Sequence, residues 1–196
     1  MQVFFSKKAC FDFLRNYRST QMIDRSFENN CTPKYFFDKL TDITRDDFER
    51  MGVKAIALDI DNTTAYDSVL TLIPGVREWV DKVRSWGFPM IIVSNTYTLR
   101  AKKIAKKLGG MPYIANSKKP APGNIIRAAK MLGVKPNEMC LIGDQLFTDV
   151  RGANDAGAVS VRVRPMRTEY LFFIRYKILR KQEHDYLKLK GYGDKI

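Results

Sequence analysis

The stretch VKAIALDIDNTT, residues 53–64, decides the fold. Its first half, Val53 to Leu58, is a short apolar run with Val and Ile, as expected of a strand buried on both faces. Two acids, Asp59 and Asp61, follow at once, and a loop runs to Pro74 before an amphipathic stretch from Val76 to Trp86. Strand, loop and helix then recur. Phe88 to Val93 is the next apolar run, Leu99 to Leu108 a basic amphipathic helix closed by Gly109 and Gly110, and Pro112 to Ala115 a weak strand. Pro122 to Leu132 reads as a helix ending at Gly133. Met139 to Ile142 and Val159 to Val163 complete the strands, with a helical segment around Phe147 to Ala156 between them. Five apolar runs joined by helix-length connections require right-handed crossovers. The expected fold class is therefore α/β, a doubly wound parallel sheet covered on both faces.

Outside this core, placed at residues 51–165, the chain is less periodic. Residues 1–50 predict an N-terminal helical extension packing on the core: a helical Phe4 to Tyr17, a polar link from Asn29 to Pro33, then Tyr35 to Leu40 and Arg45 to Met51 with mixed charge. Residues 166–196 predict a basic aromatic helix, apolar or aromatic from Tyr170 to Ile174 and interleaved with Arg175, Lys177, Arg180, Lys181, Lys188 and Lys190. With 196 residues and 45% of them apolar, the chain buries one substantial core. No charge-free run is long enough to span a bilayer, and the N-terminus lacks an export signal, so the expected location is cytoplasmic, peripheral at the membrane. Cys10, Cys31 and Cys140 form no CxxC pair, and His184 is the only histidine, which weighs against zinc sites and against Ser-His or Cys-His catalysis. Lys and Arg number 34 against 21 Asp and Glu, leaving a net charge of +13, densest in the tail. Such a surplus favours an anionic partner.

In an open parallel sheet, ligands bind beyond the carboxyl ends of the strands. Asp59, Asp61 and Thr63 follow the first apolar run; Ser94 and Asn95 follow the second; Ser117, Lys118 and Lys119 follow the third; Asp144 and Asp149 follow the fourth. Any one aspartate at a strand end is commonly a turn former. Together they repel one another in low dielectric and call for a cation. Few carboxylates with room for water and a substrate phosphate match Mg²⁺ better than a Ca²⁺ cage. A lysine and a hydroxyl beside them suit the oxygens of a transferring phosphoryl group. Asp59 then reads as the nucleophile and Asp61 as acid to the leaving oxygen and base to the water. The second carboxylate argues for hydrolysis over a receiver-like phosphoacceptor.

These residues carry a resemblance. LDIDNT (Leu58–Thr63), IIVSN (Ile91–Asn95), KKPAP (Lys118–Pro122) and IGDQLFTD (Ile142–Asp149) resemble, in order, motifs I to IV of the haloacid dehalogenase (HAD) superfamily, most closely the YqeG-like phosphatases of subfamily IIIA. The resemblance spans about residues 33 to 165. It implies a HAD-like Rossmannoid fold and an aspartyl-phosphate intermediate on Asp59. By the same resemblance Asp61 is the acid/base with its carbonyl on the metal, and Ser94 binds the phosphoryl group. Lys119 neutralises nucleophile and phosphate, and Asp144 and Asp149 complete the Mg²⁺ site. Thr63, Asn95 and Lys118 are expected to contact substrate, Lys118 also rivalling Lys119.

Asp61 to Val76 and Ser94 to Lys119 are short connections, so no cap domain fits. An uncapped site suits a large or lipid-linked phosphorylated substrate. Relatives implied by the resemblance include phosphatidylglycerophosphate phosphatases, and the basic aromatic tail suits an anionic membrane surface. The competing reading is a basic RNA- or ribosome-associated binding protein with a weak or regulatory phosphatase site.

Overall fold

In the computed structural model, which describes residues 30–166 and 174–192, a parallel sheet is built from β1 (Tyr35–Phe37), β2 (Ala55–Leu58), β3 (Met90–Val93), β4 (Tyr113–Ile114), β5 (Met139–Gly143) and β6 (Val159–Val163). The strand order is β1-β6-β5-β2-β3-β4. From β2 the chain moves outward through β3 to β4, returns to β5 on the other side of β2, and moves out again through β6. The direction of winding thus reverses between β2 and β5. Open α/β sheets bind their ligands at such a reversal.

Every residue of β2, β3, β5 and β6 is buried, which is why these runs are apolar without alternation. Their side chains still divide between two faces. Ile56, Leu58, Ile92 and Ile142 pack with α1 (Arg45–Met51), α2 (Val76–Ser85) and α3 (Thr98–Lys107) through Phe48, Val80 and Ile104. Ala55, Ala57, Ile91 and Leu141 meet α4 (Gly123–Met131) and α5 (Arg151–Asp155) through Ile125, Ala128 and Ala153. The apolar runs predict five strands, and the structure has a sixth. Tyr35–Phe37 is too short and too flanked by charge to stand out; its pairing with Val161 to Val163 makes it an edge strand.

The C-terminal helix α6 (Ile174–Leu189) docks through Tyr186 and Leu187 on a small cluster with Cys31, Leu146 and Val150. Lys181, His184 and Lys188 stay exposed. The expected helix over Phe4–Tyr17, Cys10, and the aromatic run at Tyr170–Phe173 lie outside the described residues. Between Asp61 and α2 there are only turns and two isolated β-bridges, and between Ser94 and Lys119 only α3 and β4. Among the described residues, no cap domain covers the sheet's carboxyl end, and no helix is long and apolar enough to cross a membrane.

Candidate active site

The pairing of β2 with β5 places the first acids. The Asp59 amide donates to Ile142 O at 2.9 Å, so the chain leaves the sheet at Asp59 while still bonded to β5. β5 finishes at Gly143 and delivers Asp144 beside it. A π-helical turn, Leu146–Val150, then brings Asp149 back, where its carboxylate accepts from the Gln145 amide at 3.0 Å. Gly143 makes this return feasible, because a Cβ there would collide with the Asp149 carboxylate. Asp59, Asp144 and Asp149 are buried, and each offers an oxygen within 4.8 Å of the other two.

Lys119 closes the cluster. Its ammonium lies 2.8 Å from Asp59 Oδ1 and 2.7 Å from Asp149 Oδ1, and it donates to Val93 O at 2.7 Å. Burial alone would lower its pKa, but Asp149 and Asp59 overturn that and hold it above the ordinary lysine range. Burial pushes Asp144 up to about 8; Arg180 opposes the rise while Asp149, Asp59 and Glu183 add to it. Burial likewise raises Asp149 to about 6 against the pull of Lys119. Lys119 and Arg180 together fall short of neutralising the three buried carboxylates, since Arg180 is shared with Glu183, and Asp144 Oδ1 is buried with no hydrogen-bond partner. Hard oxygen donors with an orphaned acceptor among them fit a hard divalent cation.

Asp61 stands apart from this cluster. Its carboxylate is gripped by Arg100 of α3, with Nη2 at 2.6 Å from Oδ1 and Nη1 donating to Oδ2 at 3.0 Å; the Ser68 amide adds a bond at 3.2 Å. Burial and the neighbouring Asp59 raise its pKa to about 6, while Arg100 pulls it down. Arg100 also donates to Tyr66 O at 3.2 Å and to Val69 O at 3.0 Å, fixing the loop after Asp61. The metal set expected from the sequence includes Asp61 through its carbonyl; its carboxylate is taken up by Arg100 and the Ser68 amide, and the acidic cluster itself consists of Asp59, Asp144 and Asp149.

Ser94, at the end of β3, is buried and its Oγ accepts from the Thr96 amide at 3.3 Å, leaving its hydrogen to donate. Asn95 is turned onto the lysine loop: Oδ1 accepts from the Lys119 amide and Ser117 Oγ, both at 2.8 Å, and Nδ2 donates to Lys119 O at 3.0 Å. It braces Lys119. Lys118 is exposed while Lys119 is buried. Thr63 is buried and lines a cavity of about 200 Å³ with Lys39, Asn62, Tyr66 and Arg164. Sequence reasoning missed Arg100, Arg162, Arg180 and Glu183. A faint signal existed for Arg100, the lone arginine in a lysine-rich helix, since buried bidentate pairing selects arginine.

Acids and a lysine at the switch point of an uncapped doubly wound sheet define a hydrolase built for phosphoryl transfer. The family model of the haloacid dehalogenase-like hydrolases matches residues 33–157, and the chain belongs to that family. It is 30% identical over 161 residues to a probable phosphatase, YqeG, of Bacillus subtilis, spanning 82% of this chain and 93% of that protein. It is 31% identical to a glyceraldehyde 3-phosphate phosphatase of Methanopyrus kandleri over 76% of this chain and 65% of that one. A phosphatidylglycerophosphate phosphatase 1 of Arabidopsis thaliana is 28% identical over 65% of this chain and 39% of its own length.

Proposed function

We propose that this chain is a Mg²⁺-dependent phosphomonoester hydrolase working through an aspartyl-phosphate on Asp59, with phosphatidylglycerophosphate as its preferred substrate. The observation that carries the reading is the ammonium of Lys119 set between Asp59 and Asp149, with Asp144 in the same buried cluster. Asp59, Asp144 and Asp149 would hold the cation, with the Asp61 carbonyl. When bound, Mg²⁺ supplies Lewis-acid charge on the phosphoryl oxygens.

Asp59 attacks phosphorus and the ester P–O bond breaks, while Asp61 gives its proton to the leaving oxygen. A carboxyl with a pKa of about 6 is suited to both giving and regaining that proton. Asp61 then takes a proton from water, which attacks the phosphorus of the acyl phosphate and frees Asp59. Arg100 keeps the Asp61 carboxyl in place through both steps, Ser94 donates to a phosphoryl oxygen, and Lys119 balances the charge on Asp59. The lipid reading draws on the uncapped site, on the Arabidopsis relative's name, and on the cavity beside Thr63. There Lys39, with Arg164 paired to Asp38 beside it, offers positive charge to a second anionic group, which the phosphodiester of phosphatidylglycerophosphate provides.

The test is phosphate release, with Mg²⁺, from p-nitrophenyl phosphate, glyceraldehyde 3-phosphate and vesicles bearing phosphatidylglycerophosphate. The lipid should turn over fastest, and Asp59→Asn should abolish release from all three. Asp61→Asn should slow it by roughly 10²- to 10⁴-fold. Equal, feeble rates on every substrate would sink the lipid assignment, and activity surviving in Asp59→Asn would sink the covalent route.

A further inference from the structure

The tail reads in the sequence as an arm for membrane or RNA, or as a helix laying its apolar face on the core; its helix does pack on the core, and it also reaches into the acidic cluster. Arg180 of α6 pairs with Asp144 Oδ2 through Nη2, and its Nη1 donates to Asp144 O at 3.1 Å and to Glu183 Oε2 at 2.6 Å. Glu183, fully buried, also accepts from the Leu146 amide at 2.7 Å, two residues beyond Asp144. From below, Arg162 of β6 donates to Asp144 O at 3.2 Å and lies 3.8 Å from Glu183 Oε2. Strand end, π-helical turn and C-terminal helix thus close one ring of alternating charges.

Docking a helix does not require such a ring. Buried ion networks roughly break even against apolar packing, and Tyr186 and Leu187 already provide that packing. What the ring does determine is Asp144 itself. Arg180 occupies one carboxylate oxygen and the main-chain carbonyl of the same residue, so the side chain cannot rotate, and Oδ1 remains as the oxygen without a partner. Groups that hold a metal ligand by its other atom commonly govern metal affinity.

We infer that Arg180, held by Glu183, is a positioning residue that presents Asp144 to the divalent cation, so that α6 is part of the metal-binding unit. The inference rests on the cation-dependent reading above. A rival with the same geometry is competition, in which the guanidinium stands in the cation's way; the two predict opposite signs.

Calorimetric titration of MnCl₂ and MgCl₂ into the full chain separates them, using wild type, Asp144→Asn, Arg180→Met and Arg180→Lys. Positioning predicts that Arg180→Met raises the Mn²⁺ Kd about tenfold or more. It does so although the substitution removes a positive charge from the site. Arg180→Lys keeps the charge but not the two-pronged grip, so it should weaken binding less while melting, without cation, near wild type; if Arg180→Met does not fold, this variant decides. Unchanged or tighter Mn²⁺ binding in a folded Arg180 variant, with binding lost in Asp144→Asn, overturns the inference and leaves the catalytic reading intact. A wild type that binds neither cation overturns both.

Discussion

Lys118 and Lys119 are neighbours with the same side chain, yet one is exposed and the other is enclosed by two carboxylates. The sequence string favours Lys119 by its place before Pro120, while the physical difference lies in which way the backbone turns, and Asn95 governs that turn by binding both the amide and the carbonyl of Lys119. Removing one partner from a buried ion cluster costs about 3–5 kcal/mol. Lys119→Met should lose phosphatase activity and a stability of that order, read by urea denaturation at neutral pH. The sign is set by its raised pKa. The stabilisation from the lysine's own titration is fully present below the ordinary lysine pKa and is lost only as pH rises through the folded value, so Lys119 itself contributes no change between neutrality and mild acid, where its partner Asp149 titrates instead. Asp59, Asp144, Asp149 and Lys119 were legible because parallel strands carry their terminal residues to one edge. Arg100, Arg180 and Glu183 were not, because a charge on a helix reads as solvated until the packing of that helix is known.

At the scale of elements, the π-helical turn shows where periodicity misleads. Phe147 to Ala156 reads as one helix, whereas the structure divides the region into the turn Leu146–Val150 and α5. The Val150 amide reaches back to Gln145 O at 3.2 Å, and the Asp149 amide shares that acceptor at 3.0 Å. The wider turn leaves Asp149 buried beneath Gly143, a placement no helical repeat encodes. β1 escaped notice for a related reason, since three half-buried residues carry no period and depend on β6 for their bonding. The close approach at Gly143 makes a sharp prediction. Gly143→Ala adds a methyl group where the Asp149 carboxylate already lies, and overpacking of this kind costs roughly 1–3 kcal/mol. Chemical denaturation should show that loss together with weaker Mg²⁺ binding, because the methyl displaces one of the carboxylates proposed to hold the cation. Wild-type stability and affinity in this variant would mean that the turn has slack.

For the whole molecule, the buried acids couple cation, proton and fold. Asp61 and Asp149 sit at about 6 and Asp144 at about 8, all raised chiefly by burial above the ordinary carboxylate value. Without cation, the folded chain therefore binds more protons than the unfolded chain from about pH 4 up through these values. Its stability should fall as pH rises through that window. A divalent cation selects the ionised carboxylates, so its affinity should climb over the same range and its binding should release protons. A ligand at 100 times its Kd stabilises by about 2.7 kcal/mol. Melting curves with and without MgCl₂, from about pH 5 to about pH 8, should separate as pH rises, since the bare protein weakens while the occupied one is held. Calorimetry near neutrality in two buffers of different ionisation enthalpy should register the displaced protons. A separation that stays constant with pH would show carboxylates already ionised in the bare site, and Lys119 with the arginines would then be charge enough to keep the acids together.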